Sequence, residues 1–283
     1  MEIKNVCVVG GGAMGRQIAL NSAIHGYAAV VTDTSAEVCK SIEEWKEDYL
    51  RGRIEKGRMT VKQVDDVKSR FAVKASPEAA VSGADIIIEA IIEDENAKRE
   101  LFKKLSSLVA ADVILCTNSS YMVSSQFADC VANPARLLNC HFYNPALVLK
   151  FVEVVQGPHT SLEAAEAVVD FCKKTGKTPI HMKKEIEGFA ANRIMRVITD
   201  EAFYMVENEY CTPYEVDAAC ELGLNHPMGP IKLMDLVGID LAFQIAKDRL
   251  GKTGQKPAGY DIIEDMVKKG LLGRKSGKGF YEY

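Results

Sequence analysis

The chain contains no apolar run approaching the ~20 residues that a membrane-spanning helix requires. It contains no C-x-x-C pair either. Its eight cysteines (Cys7, Cys39, Cys116, Cys130, Cys140, Cys172, Cys211 and Cys220) are scattered. That scatter argues against a zinc site or a disulfide framework, and for reduced thiols that pack as small hydrophobes. No metal is expected. A surplus of basic charge is also missing: Lys+Arg number 35 against 39 Asp+Glu, a net charge of -4. Neither nucleic acid nor an anionic membrane is therefore an expected partner, and any cationic site has to be local. Met1 leads straight into strand-like sequence, without the basic n-region and apolar h-region of a signal peptide, and the reduced thiols point to a cytoplasmic location.

What is present is enough for a buried core and a charged surface, with 47% apolar and 26% charged residues. The 283 residues exceed one average domain and suit one large or two smaller ones. In the first half, strand-like and helix-like segments alternate, the signature of a mostly parallel sheet with helices on both faces. Strands are predicted at Asn5–Val9, Ala28–Thr32, Phe71–Val73, Asp85–Ala90, Val113–Thr117, Arg136–His141 and Phe151–Val155, with a short segment at Thr178–His181. Helices are predicted at Gly12–Ile24, Ser35–Lys56, Asp94–Lys104 and Ser161–Thr175, and Thr60 can cap a further one. From Glu185 onward only helical patterns remain: Glu187–Asn208, Pro213–Glu221, Gly229–Leu250 and Tyr260–Lys269. The expected architecture is an α/β Rossmann-like, doubly wound domain over residues 1–184, followed by an all-helical domain over 185–283.

Gly10-Gly11-Gly12-Ala13-Met14-Gly15 fits G-x-G-x-x-G between a strand and a helix. Gly10 permits the tight turn, Gly12 lets backbone approach a pyrophosphate, Gly15 allows helix to pack on strand, and the helix N-terminus attracts phosphate charge. The next strand ends in Asp33, 18 residues past Gly15, where a carboxylate can accept both ribose hydroxyls. Asp33 also repels a 2′-phosphate, and Thr34 and Ser35 supply no arginine to hold one, so NAD is favoured over NADP. The plainer role for Asp33 is the N-cap of the following helix.

Polar residues then fall where apolar runs end: Thr117-Asn118-Ser119-Ser120, and His141-Phe142-Tyr143-Asn144-Pro145. An alcohol carbon can lose hydride only as its hydroxyl proton is lost, and histidine suits that base. His141 closes a strand, and open α/β sheets bind ligands beyond the carboxyl ends of their strands. Glu153 lies inside the apolar run Phe151–Val155, where a carboxylate is costly without a partner. Bonded to one ring nitrogen, it would fix the tautomer of His141 and stabilise the imidazolium. An outward-facing glutamate on an edge strand is the plainer alternative. Ser120 can donate to the reacting oxygen or cap a helix. Asn192, near the start of the first helix of the second domain, can point its amide towards a ligand between domains.

Together these residues resemble the L-3-hydroxyacyl-CoA dehydrogenase family, most closely its short bacterial 3-hydroxybutyryl-CoA dehydrogenases. The resemblance runs from Val6 to Tyr283 through GGGAMG, IEAIIED around Glu93, TNSS, HFYNP, KFVEVV, GFAANR, NHPMGP with Asp235, and the tail GRKSGKGFYEY. It implies reversible oxidation of an (S)-3-hydroxyacyl-CoA with NAD, with His141 as general base, Glu153 orienting it, and Ser120 and Asn192 holding substrate oxygens. It places Glu93 and Lys98 on the nicotinamide ribose side and Asn144 near the nicotinamide, with Ala13, Met14 and Asn118 also at the cofactor, and implies a homodimer built through the helical domain. It also brings Arg51, Arg53 and Lys56 towards coenzyme A, although Glu43, Glu44, Glu47, Asp48 and Glu55 on the same helix fit a solvated face equally well. Ser119 stands where the family usually has threonine, and Leu147, Leu149 and Glu187 also depart from its commonest pattern. A dehydrogenase of a free hydroxy or sugar acid would keep His141 and Glu153 without needing the cations along Arg51–Arg58. A relative that keeps the fold without turnover would not need Ser120, His141, Glu153 and Asn192 intact.

Overall fold

The computed structural model describes residues 2–283. The chain divides into two compact units, one ending at Phe189 and the other spanning Ala190–Tyr283. In the first unit an eight-stranded sheet is built from β1 (Asn5–Val9), β2 (Ala28–Thr32), β3 (Phe71–Lys74), β4 (Ile86–Glu89), β5 (Ile114–Thr117), β6 (Leu137–Phe142), β7 (Phe151–Val155) and β8 (Thr178–Met182). Their spatial order is β3-β2-β1-β4-β5-β6-β7-β8, and every neighbouring pair is parallel except β6 and β7. The order reverses direction between β1 and β4, as in a doubly wound Rossmann-like sheet.

The inner strands are buried on both faces, so they read as apolar runs rather than alternating ones. Alternation appears only in where the side chains go. Val6, Val8, Ile86, Ile88, Cys116, Leu138, Cys140, Val152 and Val154 join one core, while Cys7, Val9, Ile87, Leu115 and Leu137 join the other. The first core lies under α1 (Ala13–Ile24), α2 (Ala36–Glu55), α3 (Val61–Arg70) and α6 (Leu162–Lys174). The second lies under α4 (Pro77–Val81), α5 (Glu95–Leu108) and the 3-10 segment Ser124–Cys130. All eight cysteines are free thiols, and six of them are buried. Cys7 shows the effect of that burial, which pushes its thiol up to about 12.

Side chains start the helices where the sequence places caps. Ser35, Asp94 and Ser161 each accept an amide three residues on. Thr60 forms a full capping box with Gln63. Asp33, by contrast, is not an N-cap: Ser35 takes that place.

The second unit holds α7 (Ala191–Glu207), α8 (Pro213–Ala218), α9 (Pro230–Val237), α10 (Ile239–Thr253) and α11 (Tyr260–Lys268) around Phe203, Val216, Ile231, Ile239, Ile263 and Met266. Three helices differ from the sequence expectation. The one predicted from Glu187 starts at Ala191, because Gly188 (φ 77°) and Phe189 (φ 48°) are left-handed and cannot continue a right-handed helix. The helix predicted over Gly229–Leu250 is two, broken at Gly238, whose φ of 114° only glycine adopts readily. The one predicted over Pro213–Glu221 ends as α-helix at Ala218 and continues as a π-turn over Ala219–Gly223. Two buried carboxylates organise this unit. Asp217 caps α9 through the amides of Ile231 (2.8 Å) and Lys232 (2.9 Å), and accepts the Tyr281 hydroxyl at 2.7 Å. Asp235 accepts the amides of Phe280 and Tyr281, both at 3.0 Å, and so pins the C-terminal tail. Among the described residues no helix is long and apolar enough to cross a membrane.

Candidate active site

The glycine loop follows β1 and opens α1. A Cβ on Gly10 would fall 2.4 Å from the Ala90 carbonyl oxygen, and one on Gly15 would fall 1.8 Å from that of Gly10. Neither position tolerates a side chain. Gly12 differs: a Cβ there would meet open space, so the glycine leaves room for something other than protein. Gly12 is the N-cap of α1, with no capping side chain and no acidic residue in the first turn. The positive end of the helix dipole and its unpaired amides, which include those of Ala13 and Met14, therefore face outward unopposed. Asp33 accepts the Gly11 amide at 2.8 Å through one oxygen and the Ser35 amide at 2.9 Å through the other. A carboxylate offers about four acceptor positions, so half its capacity remains for ribose hydroxyls. The loop thus fits a dinucleotide.

Across β7, β6 and the loop after β5, three residues form a continuous line. His141 and Glu153 are directly paired across the antiparallel β6–β7 ladder. The carboxylate Oε2 lies 2.9 Å from His141 Nδ1, and Ser120 Oγ lies 3.0 Å from Nε2. Glu153 is 0% exposed and His141 4%, which removes the outward-facing alternative for the glutamate. An ionised carboxylate can only accept, so Nδ1 carries the proton and Nε2 presents its lone pair to the serine hydroxyl. That is the tautomer a general base needs at Nε2. Phe189 and Tyr143 pack their rings on the imidazole, with centroids 5.5 Å and 4.6 Å away.

A second network holds the serine loop. Glu93 accepts the Ser119 hydroxyl and the Ser120 amide (3.1 Å) through Oε1, and its other oxygen lies 3.3 Å from Lys98 Nζ. Lys98 is 1% exposed, and its ammonium also donates to the fully buried Glu89 at 2.6 Å. Glu89 in turn accepts the Thr117 hydroxyl (2.6 Å) and the Ile91 amide (2.7 Å). Asn118 Oδ1 accepts the Phe142 amide at 2.8 Å and ties the end of β5 to the end of β6. Asn144 is exposed and accepts from Gln17 at 3.4 Å.

The structure therefore brings Ser120, His141 and Glu153 together and seats Glu93 and Lys98 behind the serine. Asn192 belongs to the second unit, in the first turn of α7. Arg51, Arg53 and Lys56 lie at the C-terminal end of α2. Arg51 is 2.5 Å from Asp48 on its own helix, whereas Arg53 Nε is buried without a hydrogen-bond partner among the described residues.

Two residues escaped the sequence reading. Glu89 ends the run Ile86-Ile87-Ile88, where a carboxylate is as costly without a partner as Glu153 is in its own apolar strand. Tyr143 lies two residues past His141, the spacing that returns a side chain to the same face of an extended segment.

Comparison with known proteins agrees with this geometry. The 3-hydroxyacyl-CoA dehydrogenase NAD-binding domain matches residues 5–186, and the C-terminal domain of the same family matches residues 188–283. A probable 3-hydroxybutyryl-CoA dehydrogenase of Bacillus subtilis is 36% identical, covering 100% of this chain and 98% of its own. The mitochondrial hydroxyacyl-coenzyme A dehydrogenase of Rattus norvegicus is 33% identical over 99% of this chain and 91% of its own. Among solved structures, an (S)-3-hydroxybutyryl-CoA dehydrogenase from Ralstonia eutropha superposes with a TM-score of 0.91 at 31% identity, covering 100% of this chain and 99% of that one. With both domains matched in order along nearly its whole length, the chain belongs to the 3-hydroxyacyl-CoA dehydrogenase family.

Proposed function

We propose that the chain catalyses the reversible oxidation of an (S)-3-hydroxyacyl-CoA, with 3-hydroxybutyryl-CoA its best substrate, to the 3-oxoacyl-CoA. The observation that carries this reading is the line Glu153–His141–Ser120, which begins at a buried carboxylate in an antiparallel strand pair and ends at the serine that follows β5, in the sheet that also carries the glycine loop. NAD+, when bound, takes up the hydride that leaves C3 of the substrate. Ser120 donates a hydrogen bond to the reacting oxygen, and Asn192 holds a second substrate oxygen. His141 Nε2 takes the hydroxyl proton. Glu153 keeps Nδ1 protonated beforehand and stabilises the imidazolium afterwards, the division of labour of a base and its orienting carboxylate. Because Glu153 is excluded from water, its charge acts on the ring with little screening.

Asp33 selects NAD over NADP by repelling a 2′-phosphate. Arg51, Arg53 and Lys56 meet the phosphates of coenzyme A, while Glu93, Lys98, Asn118 and Asn144 shape the nicotinamide side. The helical unit carries substrate contacts and pairs two copies into a homodimer, and the protein works in the cytoplasm.

One observation favours a second reading. Arg51 is already paired on its own helix with Asp48 (2.5 Å) and, more loosely, Glu55 (4.0 Å). A dehydrogenase of a free hydroxy or sugar acid would leave it so.

The test is oxidation of NADH, and separately NADPH, with acetoacetyl-CoA beside free acetoacetate. Rapid turnover of the CoA ester with NADH is expected. Turnover of the free acid alone would establish the second reading, and a preference for NADPH would overturn the role of Asp33. His141→Ala should lower kcat at least ~10²-fold, the scale of general-base catalysis. An unchanged kcat would remove His141 from the chemistry.

A further inference from the structure

Glu153 Oε2 carries two donors. His141 Nδ1 lies 2.9 Å from it, and the Tyr143 hydroxyl donates to the same oxygen, also at 2.9 Å. The carboxylate has no access to water, so these two donors compete for one localised charge. The tyrosine is held from both sides. Its ring packs on His141 at 4.6 Å and on Phe151 at 5.2 Å. We propose that Tyr143 is a positioning residue for His141, whose hydroxyl shares Glu153 Oε2 and thereby keeps the imidazole a weaker base than the carboxylate alone would make it.

A carboxylate stabilises an imidazolium in proportion to the negative charge left on the oxygen facing it. A second donor on that oxygen stabilises the carboxylate before the histidine is protonated and weakens its hold on the charged ring. Burial and the neighbouring Glu153 charge push the Tyr143 phenol above its ordinary range, so it remains a protonated donor throughout the working pH. The geometry also suits a reversible reaction, in which the base must both take and return its proton. In this unit the titratable groups that face the pair are Tyr143 after β6, Tyr121 after β5, and Glu93 after β4, the last acting through the Ser120 amide. Of these three, Tyr143 is the one whose hydroxyl donates to the carboxylate oxygen that orients the histidine. The proposal rests on the reading of His141 as general base.

The experiment is a direct titration of His141 by NMR in protein labelled at its histidines, with the resonance assigned by its loss in His141→Gln. Tyr143→Phe keeps the ring and both stacking contacts and deletes only the hydroxyl. His141 in Tyr143→Phe should titrate about one pH unit higher, a tenfold gain in proton affinity. The rising limb of kcat/KM for 3-hydroxybutyryl-CoA oxidation should move by the same amount, because the base must be unprotonated to act. A more acidic phenol, 3-fluorotyrosine introduced at position 143, should move both the other way. His25, His159, His181 and His226 report in the same spectra that each variant is folded. An unchanged or lowered titration in Tyr143→Phe overturns the proposal, as does an unmoved one with the fluorinated ring. The two readings fail separately. The NMR shift without turnover of the CoA ester leaves the tuning intact and refutes the substrate assignment, whereas turnover without the shift refutes the tuning alone.

Discussion

The residues that decide this site are carboxylates placed where carboxylates are expensive. Glu153 and Glu89 both sit within buried strands at 0% exposure, and each is compensated by several donors. Glu89 faces the buried ammonium of Lys98, and removing one partner of such a pair leaves an uncompensated charge. Glu89→Ala should therefore cost about 3–5 kcal/mol in denaturant unfolding. It should also loosen the Ser119–Ser120 loop, since Lys98 would then be free to draw Glu93 away from the serine amide. A denaturation midpoint equal to the parent's would show that water reaches Lys98 in place of the carboxylate. This logic was half legible in the sequence. A glutamate inside Phe-Val-Glu-Val-Val announces a partner, and the one closing Ile-Ile-Ile-Glu does the same, but no local pattern names the partner. That Glu93 would reach back to hold the serine loop depends on the ends of β4 and β5 lying side by side.

At the level of elements, the glycine loop and the antiparallel pair β6–β7 do most to build the site. The loop was readable because its geometry is local: a strand, a turn requiring positive φ at Gly10, and a helix packed against that turn. Gly15→Ala would drive a methyl group into the Gly10 carbonyl, so the helix has to move off the strand. The expected result is a loss of about 1–3 kcal/mol, the usual cost of overpacking. NADH affinity should fall at least ~10-fold with it, since 1.4 kcal/mol corresponds to that factor. Calorimetric titration with NADH checks this, and unchanged binding would place the cofactor elsewhere. The β6–β7 pairing was not readable in the same way. Both segments were recognised as strands, but direction and register are tertiary facts, and one residue of slip would turn Glu153 to the opposite face of the sheet. In the helical unit, periodicity ran straight through Gly238 and across Gly188-Phe189. A lone glycine within an amphipathic pattern does not say whether it is tolerated or used as a break.

For the molecule as a whole, burial of polar rings contributes to the pH dependence of stability. Half-buried His159, beside the Leu137 carbonyl at 3.1 Å, is held below the ordinary histidine range, chiefly by desolvation. The unfolded chain therefore takes up its proton first. The stabilisation is present above about pH 6.5 and is lost as pH falls through that value towards the lower folded one. His159→Gln should shrink the drop in Tm between neutral and mildly acidic pH, and a drop of parental size would assign the acid sensitivity to other groups. The tyrosines act in the opposite sense. Burial holds Tyr143 and Tyr281 above their ordinary range, so their contribution is lost as pH rises beyond about 10. The sequence by itself determined the alternation of strand and helix, the glycine loop with Asp33, the separate helical region, and the prominence of His141 and of Glu153 in its apolar run. Those features depend on hydrophobic periodicity, on backbone conformations few residues adopt, and on the cost of charge in an apolar run, all of which act over a few neighbouring residues. Only the tertiary structure decided which oxygen of Glu153 serves His141, that Tyr143 shares it, and that Lys98 and Glu89 stand behind the serine loop. These contacts join residues 9 to 28 positions apart, and the antiparallel junction of β6 with β7, where every other neighbouring pair is parallel, sets the geometry of His141 and Glu153.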